Sequence, residues 1–278
     1  MLGMSFPRLA LVTILLSGAA TLGGCAGLTA VNPSFDTSYA EARSQLKAMR
    51  QDKKSLERPL IFIGPFLDPF VAEWLALSHI KKYVDNPAQT AGVSFVLWDT
   101  FDTCRAKTIA EVDRRFPTDD PEQTVEVDVV AFSMGGVVAR YAALPPDAER
   151  GQSRRLKVRR MFTVASPHRG ANWAPLGFWN SLARDMEAGS ALLQRLDAGL
   201  EHASYELVPY TRLDDWVVGP TNTAPRGVTP HWVSARPFEM AHVQAASDAR
   251  IRADILRRLR HETPLTDGEP APFPGGDR

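Results

Sequence analysis

The sequence predicts an α/β fold, with a mostly parallel sheet covered by helices on both faces. Short β-branched or aromatic runs recur at Leu60–Ile63, Val93–Trp98, Val127–Phe132, Met161–Ala165, Tyr205–Tyr210 and Thr229–Val233. Helical or loop stretches separate them, long enough to carry one parallel strand over to the next. The segment 59–260 that holds these runs is about two hundred residues, the size of one compact domain. One unit is read most directly: the Val-rich run ending at Phe132 passes through Ser133 into the helical stretch Val137–Leu144, which Pro145-Pro146 closes.

The chain opens with Arg8, an apolar stretch from Leu9 to Leu16, and small residues up to Leu22-Gly23-Gly24-Cys25. Residues 1–24 therefore read as a secretory signal, too short for a membrane span. Leu-Gly-Gly-Cys resembles the lipobox of bacterial lipoproteins, which implies that Cys25 is lipidated and becomes the mature N-terminus. The resemblance also implies a membrane-anchored protein of the cell envelope. With Ala26 after the cysteine, rather than a retaining Asp, it implies the periplasmic face of the outer membrane in a Gram-negative host. Residues 25–58 read as a tether and a lead-in helix, with a polar helical pattern around Tyr39 to Met49. After His261 the chain turns Pro- and Gly-rich, and 261–278 is expected to be a disordered tail. There is no internal repeat.

The 32 basic residues balance the 32 acidic ones, so no nucleic-acid footprint is present. Lipidation of Cys25 would leave Cys104 alone, so no internal disulfide is expected. Cys104 follows the stretch 98–103, which has none of the chemistry of a nucleophile turn, and reads as a structural thiol.

Ser133 sits on the sharp strand-to-helix turn, where a tight backbone needs small neighbours two residues to either side. Ala131 and Gly135 supply them. The segment Ala131-Phe132-Ser133-Met134-Gly135-Gly136 resembles the nucleophile elbow of α/β-hydrolases, in particular lipases and esterases, with Ala131 at the usual first Gly. In parallel sheets ligands bind beyond the carboxyl ends of the strands, so the other strand ends are the places to look for partners. The first is Gly64-Pro65-Phe66-Leu67. By the resemblance this turn gives one N–H to an oxyanion hole, from Phe66, with Leu67 the alternative, and Met134 gives the second. The family's His is missing here, and Pro65 has no N–H.

Ser166-Pro167-His168-Arg169-Gly170 resembles the segment that follows the nucleophile helix in bacterial lipases and glycosylphosphatidylinositol-anchor deacylases. The run Asp185 to Leu193 looks like a second segment of the same lipases. His168 is a loop-shaping residue in that family. After Tyr205–Tyr210, Asp214-Asp215-Trp216-Val217-Val218 occupies the family's position for the orienting acid. Asp215 fits the spacing best and Asp214 is the alternative. His242, after the last strand and before the closing helix Ser247–Arg260, takes the position of the base. The order Ser133, Asp215, His242 is that of α/β-hydrolases. His79, His202, His231 and His261 read as packing or surface residues.

The apolar stretch 171–179 opens a segment, 171–204, that is a candidate lid or acyl-chain wall, or an ordinary cover. The basic run Arg154–Arg160 reads as a solvated loop rather than a lipid-facing patch. The resemblance implies a carboxylic ester hydrolase acting on ester or lipid substrates without metal or organic cofactor. A deacylase or acyltransferase of envelope glycolipid would use the same triad. A catalytically silent envelope-binding protein of the same fold is the reading from another class.

Overall fold

In the computed structural model, residues 31–32, 34–68, 70–234, 239–266 and 268–274 are described. The expected signal segment 1–24 and Cys25 lie outside the described residues. A six-stranded sheet runs in the order β4 (Thr90–Val93), β3 (Leu60–Ile63), β5 (Val127–Phe132), β6 (Val158–Val164), β7 (Glu206–Arg212), β8 (His231–Val233), and every neighbouring pair is parallel. From β3 the chain steps outward to β4, then back across to β5. The order of strands therefore reverses between β3 and β5, and the crevice above that reversal is where parallel sheets hold ligands.

Period-two alternation divides the strand side chains between two cores. Ile61, Ile63, Val129 and Ala131 pack with helices α3 (Phe101–Arg115), α4 (Met134–Ala143), α5 (Ser181–Asp185) and α6 (Ala191–Leu200). Leu60, Phe62, Phe132, Phe162 and Tyr210 face the other way. They pack with α1 (Tyr39–Gln51), with the end of α2 (Val71–Ile80) and with α8 (Ala249–Leu259); the five-residue α7 (Ala241–Ala245) precedes α8. No helix among the described residues is long and apolar enough to cross a membrane.

The lead-in helix begins where its sequence provides a stop for free backbone donors. Ser38 Oγ accepts from the Glu41 N–H at 3.2 Å and the Glu41 carboxylate accepts from the Ser38 N–H at 2.8 Å, a reciprocal capping box. A two-stranded hairpin, β1 (Val31–Asn32) with β2 (Phe35–Ser38), leads into it.

Strand β6 starts at Val158, inside the run expected to be a solvated loop, and two further elements differ from expectation. The strand expected at Val93–Trp98 lies earlier, at Thr90–Val93. Gly92 belongs there because a Cβ would meet the Glu73 side chain at 2.5 Å. Val96 and Trp98, which look strand-like in sequence, are exposed on the turn after the strand, where the Val96 N–H donates to Asp99 Oδ2 at 2.8 Å. The tail also differs from the expected disorder, at least as far as residue 274. Leu265 and Thr266 are buried, and the Trp232 indole N–H donates to the Ala271 carbonyl at 2.8 Å. Asp254, fully buried on α8, holds this return. It accepts from the Leu265 and Thr266 N–H groups at 2.5 and 3.0 Å, from the Tyr210 hydroxyl at 2.6 Å and from Arg258 at 3.0 Å. Polar residues count as tail in a sequence, but one buried carboxylate is enough to dock them.

Asp254→Ala would leave the Tyr210 hydroxyl and the Arg258 guanidinium without that acceptor. Urea unfolding should show a loss of about 3 kcal/mol, the scale for breaking a buried charged pair from one side. Limited proteolysis should cut first after residue 262 in the variant.

Candidate active site

The elbow forms because the sequence permits an approach that side chains would block. A Cβ on Gly135 would lie 2.2 Å from the Ile63 carbonyl oxygen, and one on Gly136 would lie 2.3 Å from Ser166 Oγ. Helix α4 therefore starts hard against the end of β3 and beside β6. Between β5 and α4, Ser133 takes φ 54° and ψ −126°, a region that costs a non-glycine residue roughly 1–3 kcal/mol. Its N–H donates to the Val164 carbonyl at 2.9 Å, which fixes the turn to the neighbouring strand.

Three loops converge on this serine. The Ser133 hydroxyl lies 3.0 Å from His242 Nε2, and His242 Nδ1 lies 2.9 Å from Asp215 Oδ2. Asp215 is fully buried; its other oxygen accepts from the Val217 and Val218 N–H groups, each at 3.1 Å. With the carboxylate acceptor on Nδ1, the imidazole carries its proton there, leaving Nε2 free to accept from the serine hydroxyl. The Phe132 ring lies 5.3 Å from the imidazole and holds it in place. Asp214 is exposed, with φ 62°, and forms the corner of the turn that delivers Asp215.

Arg212 and Glu239 belong to no motif in the sequence. Arg212, at the end of β7, is buried and donates to Glu239 Oε2 at 2.7 Å. The pair ties the loop that carries Asp215 to the one that carries His242. Its only sequence signal is two opposite charges, each three residues ahead of a triad position, and most charges so placed are solvated.

Met134 opens α4, so its N–H lies outside the helix's own hydrogen-bond ladder. On the facing turn Phe66 packs its ring into the core beneath α3 and α4, while Leu67 takes φ 55° and is exposed. Asp68 accepts from the Val71 and Ala72 N–H groups at 3.1 and 2.8 Å, which fixes the path of that turn.

Other chemistry-bearing residues lie apart from this convergence. His168 is buried between Thr163 and Arg140, at 3.0 and 3.4 Å; burial first, and then the Arg140 charge, hold its pKa well below the ordinary value. Burial likewise lowers His79 to about 3 and His231 to about 4. Cys104 lies inside α3, where burial pushes its thiol up and away from thiolate chemistry. Arg154 and Arg160 are tied down by Asp113 at 3.1 Å and Asp128 at 2.5 Å. Among the described residues no group of three or more His, Cys, Asp or Glu could hold a metal ion.

A parallel sheet reversing between β3 and β5 carries a strained serine at the reversal, with an acid and a histidine on loops beyond later strands. The fold is α/β, with helices on both faces of a six-stranded parallel sheet. Residues 107–208 match the model of a domain of unknown function, DUF7379, a span that includes Ser133 and stops short of Asp215 and His242. No curated protein matches the chain. Among solved structures, phospholipase PlaB from Legionella pneumophila is similar with a TM-score of 0.48 and 13% identity. That match covers 73% of this chain and 60% of PlaB, so the chain spans less than two thirds of the phospholipase. The mature form of Bacillus licheniformis lipase BlEst2 is similar with a TM-score of 0.49 and 13% identity, over 77% of this chain and 94% of that lipase.

Gly135→Ala forces a methyl against backbone that has nowhere to go. The variant should fold poorly, with a thermal transition lowered by well over 10 °C or absent, measured by circular dichroism. Gly151→Ala, with nothing near the added carbon, should shift it by only a few degrees despite its φ of 67°.

Proposed function

We propose that the protein is a serine hydrolase of carboxylic esters, acting on lipidic substrates. The observation that carries the reading is the continuous hydrogen-bond path from the Ser133 hydroxyl through His242 to buried Asp215. Each member has one chemical task. His242 Nε2 takes the hydroxyl proton as Ser133 Oγ attacks the ester carbonyl carbon. The proton it already carries on Nδ1 stays on the imidazole, and Asp215 stabilises the imidazolium. As the tetrahedral intermediate collapses, His242 gives the Nε2 proton to the leaving alcohol, and an acyl-enzyme remains on Ser133. Water, deprotonated in turn by His242, then releases the acid.

The developing oxyanion needs donors already in position. The Met134 N–H at the start of α4 is one, assisted by the helix dipole, and the N–H of Phe66 or Leu67 is the second. Preorganised donors of this kind are worth about 3–4 kcal/mol each to the transition state. A deacylase or acyltransferase acting on envelope glycolipid would run the same first half-reaction and differ in the acceptor. Half-reactions with added alcohols distinguish them, because a transferase yields the new ester faster than free acid.

In this reading Cys25 carries the lipid that anchors the protein to the envelope membrane. One acyl chain of myristoyl length binds only at about 10⁴ M⁻¹, so lasting anchorage requires the two or three chains of a bacterial lipoprotein.

Ser133→Ala and His242→Ala should each lower kcat on p-nitrophenyl esters by several orders of magnitude, with the double variant little worse than either. Asp215→Asn should cost far more than Asp214→Asn. An active Ser133→Ala variant, or the reverse ranking of the aspartates, would remove the basis for these roles. For the anchor, radioactive palmitate should label the wild-type chain and move with the membrane fraction, while Cys25→Ser abolishes the label. A wild-type chain with unmodified Cys25 in its mass spectrum overturns the anchor and leaves the hydrolase reading intact.

A further inference from the structure

The large hydrophobic side chains that this protein exposes are gathered at one end. Among the described residues, all of them lie between the carboxyl end of a strand and the first turns of the helix that follows it, except Val228, which sits just before the start of β8. Five of the six tryptophans are there: Trp74 after β3, Trp98 after β4, Trp173 and Trp179 after β6, and Trp216 after β7. Met240 and Val243 complete the ring after β8, on either side of His242.

These residues form one rim. The Asn180 side chain donates to the Leu97 carbonyl at 2.9 Å, joining the segment after β6 to the one after β4. Trp173 packs edge-on to Trp216 with ring centres 4.5 Å apart, joining it to the segment after β7. Trp98 is 85% exposed and Phe178 69% exposed, a poor arrangement in water for side chains of that size. Soluble monomers rarely expose a contiguous apolar patch of this extent without a use for it. Indole, apolar in its body and polar at its N–H, is the ring that favours the boundary between headgroups and acyl chains.

The path of the chain indicates what covers the rim. Val31 pairs with Ser38, which caps α1, and the next residue, Tyr39, lies beneath the Arg250 guanidinium at 5.9 Å. Arg250 is the second residue of α8, close after the short helix that carries His242. The far end of α8 lies at the other end of the sheet, where Arg258 meets Glu206 at the start of β7 at 3.5 Å. The chain thus joins the domain at the end that bears the rim. Cys25 lies six positions before Val31, a reach of at most about 20 Å, against about 40 Å across a domain of this size.

We propose that this rim seats on a phospholipid bilayer, with the mouth of the Ser133 site facing the membrane and the lipid on Cys25 tethering that same end. The tether rests on the anchor reading given above; the docking rests on the rim. Seated in this way, the site would draw its ester from the bilayer without a passage through water, and the short tether would keep the rim at the surface between encounters.

The test uses the full lipidated chain reconstituted into phosphatidylcholine–phosphatidylglycerol vesicles whose acyl chains carry bromine, a short-range quencher of tryptophan fluorescence. Wild-type fluorescence should be strongly quenched. The triple variant W98S/F178S/W179S should lose most of the quenching and hydrolyse vesicle-borne ester at least about tenfold more slowly, since each buried aromatic contributes a factor of that order to partitioning. Its turnover of water-soluble p-nitrophenyl acetate should be unchanged, which shows that it is folded and active. Ser133→Ala should be quenched like the wild type, so failure of the hydrolase reading leaves this test standing. Quenching without palmitate on Cys25 would support the docking while the anchor reading fails. Wild-type tryptophans that are not quenched, or a triple variant quenched like the wild type, would overturn the proposal. An unquenched wild type that sediments as a dimer, with the triple variant monomeric, would assign the rim to a second copy of the chain instead.

Discussion

The closeness of Gly135 to the Ile63 carbonyl sets much of the rest of the molecule. Because no Cβ stands between them, α4 starts against the end of β3, and the chain leaving β5 must reverse within one residue. That reversal puts Ser133 into its strained conformation and lifts its hydroxyl above the sheet at the point where the strand order turns. It also brings the first N–H of α4 beside the turn after β3, so one packing decision places both Ser133 and that N–H. The strain is a local cost, offset by the core that holds α4 and one face of β5 and by the second core that holds the other face of β5.

Around that fixed point the other groups are delivered by loops, and the loops are held by polar contacts rather than by apolar packing. Asp215 is pinned by two backbone N–H groups, and the Arg212–Glu239 pair links its loop to that of His242. A buried ion pair is weak evidence for stability, but it is directional, and direction is what a histidine between two partners needs. Farther out, the same loops present aromatic residues to the surroundings, so one set of segments both brings Ser133, Asp215 and His242 together and forms the rim around them.

Much of this was legible in the sequence because the signals are local. Ala131-Phe132-Ser133-Met134-Gly135-Gly136 carries its geometry in its residue sizes, and the Val-rich run before it and the prolines after it mark a strand and a helix. Strand β3 lay where its apolar run placed it, and β5 likewise. Legibility declined where a side chain's type has two uses. Val96 and Trp98 have the composition of a buried strand and are exposed on a rim; the pattern records hydrophobicity and not which side of it faces water. Leu265 and Thr266 sit among prolines and glycines like a tail, and only the Asp254 carboxylate beneath them makes the segment dock.

The sequence by itself determined the alternating elements, the sharp turn that exposes Ser133, and the order in which serine, acid and histidine follow one another, since each depends on neighbours a few residues apart. The tertiary structure alone decided which of two adjacent aspartates meets His242. Asp214 and Asp215 are chemically identical, and what separates them is a turn with positive φ that sends one outward and the other into a buried pair of N–H donors. It alone showed that Arg212 and Glu239 join two loops, and that aromatics scattered from Trp74 to Trp216 share one end of the molecule. Those are relations between residues far apart in the chain, and only the folding of the sheet brings them within reach of one another.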